Sequence, residues 1–378
     1  MLKIFYDENI PYAKEFFADI GEVFSFSGRD VSAEQLQDAD VLLVRSITKV
    51  NEQLLALNSK IKFVGTATIG VDHIDQAYLQ QRGITFTNAA GCNAVSVAEY
   101  VTSALMVLTE RLKFNLLDKR IGIIGAGNTG SRLSEKLDAL GINYVLCDPI
   151  LAQTKDAREF VSLDAALECD IISLHVPLVK GGGNSTFHLL NETRLAALSE
   201  QQILINACRG EVIDNQALLA LKMQGQGPEL VLDVWEGEPN IETKLIPHCQ
   251  ITTAHIAGYS LEGKSRGTQM LYLALSKLLG LDANKQLSEY LPMQSFALTK
   301  EVAGNKQKGV NFDHIKSRIF AVYDVRRDDE IFRQQLKLSS FDQLRKNYPV
   351  RREFSALELN PTFEPHVVKA LGFNVSTS

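Results

Sequence analysis

Three short polar stretches carry the residue types that hydride transfer at an alcohol carbon would require. They are Asn206-Ala207-Cys208-Arg209-Gly210, Asp233-Val234-Trp235-Glu236-Gly237-Glu238-Pro239 and Thr253-Ala254-His255-Ile256-Ala257-Gly258-Tyr259. A base must take the hydroxyl proton as the hydride leaves, and His255 is suited because imidazole titrates near neutrality. A carboxylate beside the ring holds it and stabilises imidazolium; Glu238 is the candidate. A guanidinium can hold a substrate carboxylate and polarise the carbonyl, which suits Arg209. Each also has a plainer reading: a capping histidine, a surface acid, an arginine in a structural ion pair. His73, His175 and His188 compete with His255, and His175 sits inside an apolar run, as a core or cofactor-lining residue would.

A hydride also needs an acceptor, and Lys119–Pro149 reads as a site for one. The apolar run Ile121–Ile124 ends in Gly125, and Gly-x-Gly-x-x-Gly follows as Gly125, Gly127 and Gly130, with Asn128 and Thr129 between the last two. Leu133, Leu137 and Leu140 then mark one face of a helix, and the run Tyr144–Cys147 ends in Asp148. In such a unit the first glycine permits a tight turn, the second admits a pyrophosphate, and the third lets helix and strand pack closely. The helix N-terminus favours phosphate. Asp148, 18 positions after Gly130, is placed to accept hydrogen bonds from ribose hydroxyls and to repel the extra phosphate of NADP, so NAD is the expected cofactor. The alternative is an ordinary glycine-rich strand-to-helix turn.

The elements around these stretches alternate. Strands are expected at Leu2–Tyr6, Glu22–Phe26, Val41–Val44, Lys62–Thr66 and Ile84–Thr87, then at Asp170–His175, Ile203–Asn206 and Leu230–Val234 beyond the glycine unit. Helical patterns lie between them, which argues parallel sheets with helices on their faces and ligands beyond the carboxyl ends of the strands. Arg45-Ser46-Ile47-Thr48-Lys49 and Gly65-Thr66-Ala67-Thr68-Ile69-Gly70 follow two strands of the first set and would suit an anionic substrate. A long helix from Gly91 to about Leu117 is expected to cross into the nucleotide domain, and Ser260–Leu279 to return from it. After about Asp282 the alternation stops, and a separate C-terminal domain is expected. Its Arg326-Arg327 and Lys346…Arg351-Arg352 clusters read as solvated surface, or else as a subunit interface or an anion contact.

Composition excludes several classes. The chain has 378 residues, 45% hydrophobic and 22% charged, with net charge −6 and no long basic block, so nucleic acid is not an expected partner. Its five cysteines are widely spaced without a C-x-x-C pair, which suggests neither a disulfide framework nor a zinc site. No metal is expected. No signal peptide or membrane-spanning run is apparent, and a cytoplasmic location is expected.

The glycine unit with Asp148, followed in order by N-A-C-R-G, D-V-W-E-G-E-P and H-I-A-G-Y, resembles the D-2-hydroxyacid dehydrogenases over about residues 1–285. The resemblance implies an α/β protein with an NAD-binding Rossmann domain and a flavodoxin-like substrate domain. It implies Arg209, Glu238 and His255 as the catalytic set. D-E-N-I-P-Y-A, V-R-S-I-T-K-V-N, F-V-G-T-A-T-I-G-V-D-H-I-D and I-A-G-Y-S-L-E-G-K are similar to one branch of that family, which acts on a small phosphorylated 2-hydroxy acid. That branch carries an additional C-terminal α+β dimerisation domain, and implies a homodimer built through it. By the same resemblance Ser46, Thr68 and Tyr259, with Arg45, contact substrate. Asp148, Val176, Ala207, Cys208, Arg209, Asp233 and Gly258 join the glycine turn around NAD. Val176 stands where a threonine is common, so only a backbone contact could persist there. The expected domains are 1–91 and the return helix 259–285 for substrate, 92–258 for NAD, and 286–378 for dimerisation. A 3-phosphoglycerate or other hydroxyacid enzyme would share this machinery. A nucleotide-sensing corepressor would share the fold, but would need no acid/base pair.

Overall fold

A computed structural model describes residues 1–292, 312–359 and 365–375. Contacts divide the chain into two compact units: Met1–Asn93 with Tyr259–Pro292, and Ala94–Gly258 with Met293–Ser378.

The first unit is built on five parallel strands, β1 (Leu2–Asp7), β2 (Gly21–Phe26), β3 (Val41–Val44), β4 (Phe63–Thr66) and β5 (Thr85–Asn88). Their order is β2-β1-β3-β4-β5, the flavodoxin-like arrangement. The central strands β3 and β4 are buried along their whole length, which is why they read as unbroken apolar or small-residue runs. Alternate residues feed opposite faces. Ile4, Val41, Leu43 and Phe63 pack with Phe16, Phe17, Leu271 and Leu275, whereas Leu42, Val44 and Val64 pack with Leu36, Leu55 and Leu79. Leu271 and Leu275 belong to the helix Leu261–Leu279, which Ser260 caps by accepting from the Gly263 N–H. A Cβ at Gly65 would lie 3.0 Å from Leu271, so the glycine lets that helix approach the sheet.

The second unit holds β6 (Arg120–Ile124), β7 (Asn143–Cys147), β8 (Ile171–Leu174), β9 (Ile203–Asn206), β10 (Glu229–Leu232) and β11 (Cys249–Thr252), all parallel in the order β11-β10-β9-β8-β6-β7. A single parallel bridge joins Leu146 to Phe160 beyond β7. Counting that bridge third in chain order, the sheet runs 3-2-1-4-5-6-7, a Rossmann sheet with its third strand reduced to one residue. The helix Ala94–Leu112 is buried over nearly its whole length. Among the described residues, no helix is long and apolar enough to cross a membrane.

The described C-terminal part contains the helices Phe312–Val322, Val325–Gln335, Phe341–Lys346 and Pro365–Ala370, with one short parallel pair, β12 (Glu358–Leu359) and β13 (Asn374–Val375). Residues 293–311, 360–364 and 376–378 of the expected dimerisation domain lie outside the described residues. The rest clusters with the nucleotide sheet. Trp235 stacks on Phe332, and Ser103 donates to the Tyr323 carbonyl at 3.0 Å. Reading the basic clusters as solvated surface holds for Arg327 and Lys346 but not for Arg351 and Arg352, which are each 5% exposed. A buried guanidinium persists where carbonyls fill its donors, and Arg351 donates to the carbonyls of Ala257 and Ser96 at 2.9 and 2.6 Å.

All five cysteines are free and buried. Burial pushes the Cys147 and Cys208 thiols up to about 11 and Cys249 to about 12, so none of these three is poised as a thiolate.

Candidate active site

One row of strand ends sets the site in the second unit. Cys147, Ile124, Leu174, Asn206, Leu232 and Thr252 are register partners across the six strands. The next residues along each strand are therefore Asp148, Gly125, His175, Ala207, Asp233 and Thr253. The glycine turn, Asp148 and the three stretches that carry Arg209, Glu238 and His255 all start at this edge.

At β6 the glycine turn has three distinct constraints. Gly125 has φ +95, and a Cβ there would lie 2.6 Å from the His175 carbonyl carbon. A Cβ at Gly130 would lie 2.1 Å from the Gly125 carbonyl oxygen. At Gly127 a Cβ would meet nothing within 4 Å, so here the backbone borders open space. Gly127 caps the helix Asn128–Leu140 without a side-chain hydrogen bond, which leaves the first-turn N–H donors to an anion. Gly127 and Asn128 are exposed and Thr129 is half-buried. Asp148 accepts from the Ala126 N–H at 3.0 Å through Oδ2, and from Ile150 and Leu151 through Oδ1. It thus ties the glycine turn to β7 while staying half-buried. These features fit a dinucleotide. Val176 is also half-buried, and lacks any side-chain donor.

His255 sits on the turn after β11 at φ +55, a left-handed conformation that a non-glycine residue keeps only when its surroundings enforce it. Asp233 does most of the enforcing. Its Oδ1 accepts from Thr253 Oγ1 at 2.6 Å and from the Ile256 N–H at 2.8 Å, its Oδ2 accepts from the Ala257 N–H at 3.0 Å, and its carbonyl accepts from the His255 N–H at 2.6 Å. Tyr100 extends the network to Thr253. The Asp233 side chain is 1% exposed, and both of its carboxylate oxygens accept from the histidine turn.

The His255 ring places Nδ1 2.7 Å from Glu238 Oε2, where the ring N–H donates to the carboxylate, leaving Nε2 as an acceptor. Glu238 Oε1 accepts from the Trp235 N–H at 2.9 Å. Burial works to raise the Glu238 carboxyl, but the hydrogen bond and charge of His255, the Trp235 N–H and the charge of Arg345 outweigh it and hold the carboxyl below its usual range. Arg209 follows β9 on a loop fixed from both sides. Asn206 Nδ2 donates to the Arg209 carbonyl at 2.9 Å, and a Cβ at Gly210 would lie 1.9 Å from the Trp235 carbonyl carbon. The arginine loop is therefore in backbone contact with the turn that carries Glu238. Ala207 and Cys208 are buried at the start of that loop, and Gly258 is half-buried just past the histidine turn.

The two acids of W-E-G-E-P separate. Glu238 goes to His255, whereas Glu236 Oε1 lies 2.6 Å from His188 Nε2, with Asp214 Oδ2 3.6 Å from the other ring nitrogen. These three line a separate cavity of about 320 Å³. His175 pairs with Ser173 at 2.8 Å, and burial pushes its imidazole down to about 4. The role of Asp233 in holding the turn, and the approach of Arg351 to it, were missed from the sequence; no local pattern around either residue signals them.

In the first unit Arg45, Ser46 and Thr68 follow the carboxyl ends of β3 and β4. Arg45 is half-buried and Ser46 exposed. Thr68 Oγ1 lies 2.7 Å from Thr66 Oγ1 and donates to the Gly70 carbonyl at 3.0 Å; Thr66 in turn lies 2.9 Å from His73 Nε2. Burial lowers the His73 imidazole. The Tyr259 ring is faced by Lys264 Nζ, 4.5 Å from its centroid.

Residues 97–257 match a family model described as the D-isomer specific 2-hydroxyacid dehydrogenase, NAD binding domain, and residues 299–372 match one described as a domain of unknown function. The chain is 54% identical to an erythronate-4-phosphate dehydrogenase of Colwellia psychrerythraea, with 99% of this chain and 100% of the relative covered. It is 49% identical, over the same shares, to the enzyme of that name from Pseudoalteromonas atlantica. Among solved structures, the D-lactate dehydrogenase of Aquifex aeolicus complexed with NAD and lactic acid superposes with a TM-score of 0.59 at 26% identity, covering 73% of this chain and 95% of that one.

Two glycines separate scaffold from cofactor site. Gly210→Ala should destabilise the protein by roughly 3 kcal/mol, because the added methyl meets backbone. Gly127→Ala should cost no more than about 1 kcal/mol yet weaken NAD binding. Thermal unfolding and NADH titration of both variants check this; a stable Gly210→Ala protein would contradict the packing account.

Proposed function

The chain belongs to the erythronate-4-phosphate dehydrogenase family, and on that premise we propose that it oxidises 4-phospho-D-erythronate at C2, with NAD as acceptor, to (R)-3-hydroxy-2-oxo-4-phosphooxybutanoate. The step would belong to pyridoxal 5′-phosphate (vitamin B6) biosynthesis. The observation that carries the reading is the 2.7 Å contact between His255 Nδ1 and Glu238 Oε2, made at the sheet edge that also bears the glycine turn and the Arg209 loop.

The roles follow from chemistry. His255 Nε2 takes the C2 hydroxyl proton, and Glu238 orients the ring and stabilises the imidazolium that forms. Arg209 holds the substrate carboxylate and polarises the forming carbonyl. Arg45, Ser46, Thr68 and Tyr259 are assigned to the rest of the anionic substrate. NAD supplies the hydride acceptor. Gly125–Gly130 would hold its pyrophosphate and Asp148 its ribose hydroxyls, with Val176, Ala207–Arg209, Asp233 and Gly258 contributing around it. We assign the C-terminal part to a homodimer, on the resemblance of the whole chain to its relatives.

A rate assay decides the substrate. The highest kcat/KM is expected for 4-phosphoerythronate over 3-phosphoglycerate and glycerate, and for NAD over NADP. His255→Gln should lower kcat on the order of 1,000-fold while NADH still binds. A preference for 3-phosphoglycerate, or unchanged turnover in the His255 variant, would contradict the reading.

A further inference from the structure

The C-terminal segment matches a domain without an assigned function, and some of its contacts reach β11 and the catalytic turn that follows it. Asp329 Oδ1 accepts from the N–H and hydroxyl of Thr252, the last residue of β11, at 2.9 and 3.0 Å. Phe332 stacks on Trp235, with ring centroids 5.6 Å apart. Arg351 then reaches the turn itself. Its Nη1 donates to the Ala257 carbonyl and its Nη2 to the Ser96 carbonyl in the helix Ala94–Leu112, while the guanidinium carbon sits 3.5 Å from the centroid of the Tyr323 ring.

The planar fork makes this a fixed spacer. A guanidinium bonded to two carbonyls on different elements holds them at one separation, which a flexible ammonium does not. Ala257 is consequently gripped at both ends: its N–H by Asp233 and its carbonyl by Arg351. Two residues upstream, His255 keeps its left-handed backbone. Asp233 alone would leave the carbonyl side of the turn able to rotate. Burial works against the guanidinium's charge, and the carboxyl groups of Glu99 and Asp328 favour it.

We propose that Arg351 is a positioning residue for catalysis, through which the C-terminal segment fixes the turn that carries His255 within the same chain. The inference rests on His255 being the acid/base. Arg351 thus supports the active site from behind the histidine turn.

The test uses Arg351→Ala and Arg351→Lys in the full-length enzyme, with active sites counted by NADH titration. Per NADH site, kcat should fall on the order of 100-fold in Arg351→Ala, as for a misplaced catalytic group, and by less in Arg351→Lys. KM for NAD should stay near the parent value. Amide hydrogen exchange at Ile256 and Ala257 should quicken in both variants, a readout that needs no turnover. Parent-like kcat per site, or loss of activity only in proportion to lost NADH sites, overturns the proposal. If Arg351→Ala does not fold, Arg351→Lys decides by the same criteria. Inactivity of the parent on 4-phosphoerythronate would instead strike the functional reading, and the exchange result would still judge the positioning.

Discussion

The buried carboxylate of Asp233 is the interaction on which the catalytic edge depends. It stands one residue past β10, and its oxygens take the Thr253 hydroxyl and the N–H groups of Ile256 and Ala257. A carboxyl group with so little contact with water is tolerated only when its polar atoms are hydrogen-bonded. Here the donors that fill them belong to one turn, so satisfying the carboxylate and shaping the turn are the same event. The Asp233 carbonyl takes the His255 N–H as well. The histidine is then presented to Glu238 by backbone geometry rather than by packing of its own ring.

Register carries this order to the other polar groups. Because six parallel strands end on one row, a one-residue offset from each end places Asp148, the glycine turn, the Arg209 loop and the histidine turn along a single edge. Backbone contact between Gly210 and Trp235 then draws the arginine loop against the turn that carries Glu238. The short spacing of Glu236 and Glu238 serves two histidines. One acid faces His188 and Asp214, the other His255, and only His255 lies on the turn held by Asp233.

Much of the fold was legible because buried parallel strands are written as short apolar runs between turn residues. Val41–Val44 and Ile203–Asn206 are strands over the spans their composition indicates. The glycine turn was legible because Gly125 and Gly130 answer steric demands and Gly127 keeps the backbone open beside the turn. His255, Glu238 and Arg209 were legible as candidates because their types match one chemistry. What stayed hidden depends on distant parts of the chain. Asp233 reads as one more polar residue at a strand end, and only the returning turn shows why it is buried. Arg351 reads as surface, since its acceptor at Ala257 lies 94 residues away. The third strand of the Rossmann sheet, reduced to the Leu146–Phe160 bridge, leaves too short a pattern to see.

Asp233→Asn tests the central claim most directly, by single-turnover hydride transfer. The amide can accept from Thr253 and Ile256 through its oxygen, but it presents a donor to the Ala257 N–H. On this view hydride transfer should fall on the order of 100-fold, well beyond any loss of NADH affinity. Transfer at the parent rate in a folded Asp233→Asn enzyme would contradict it.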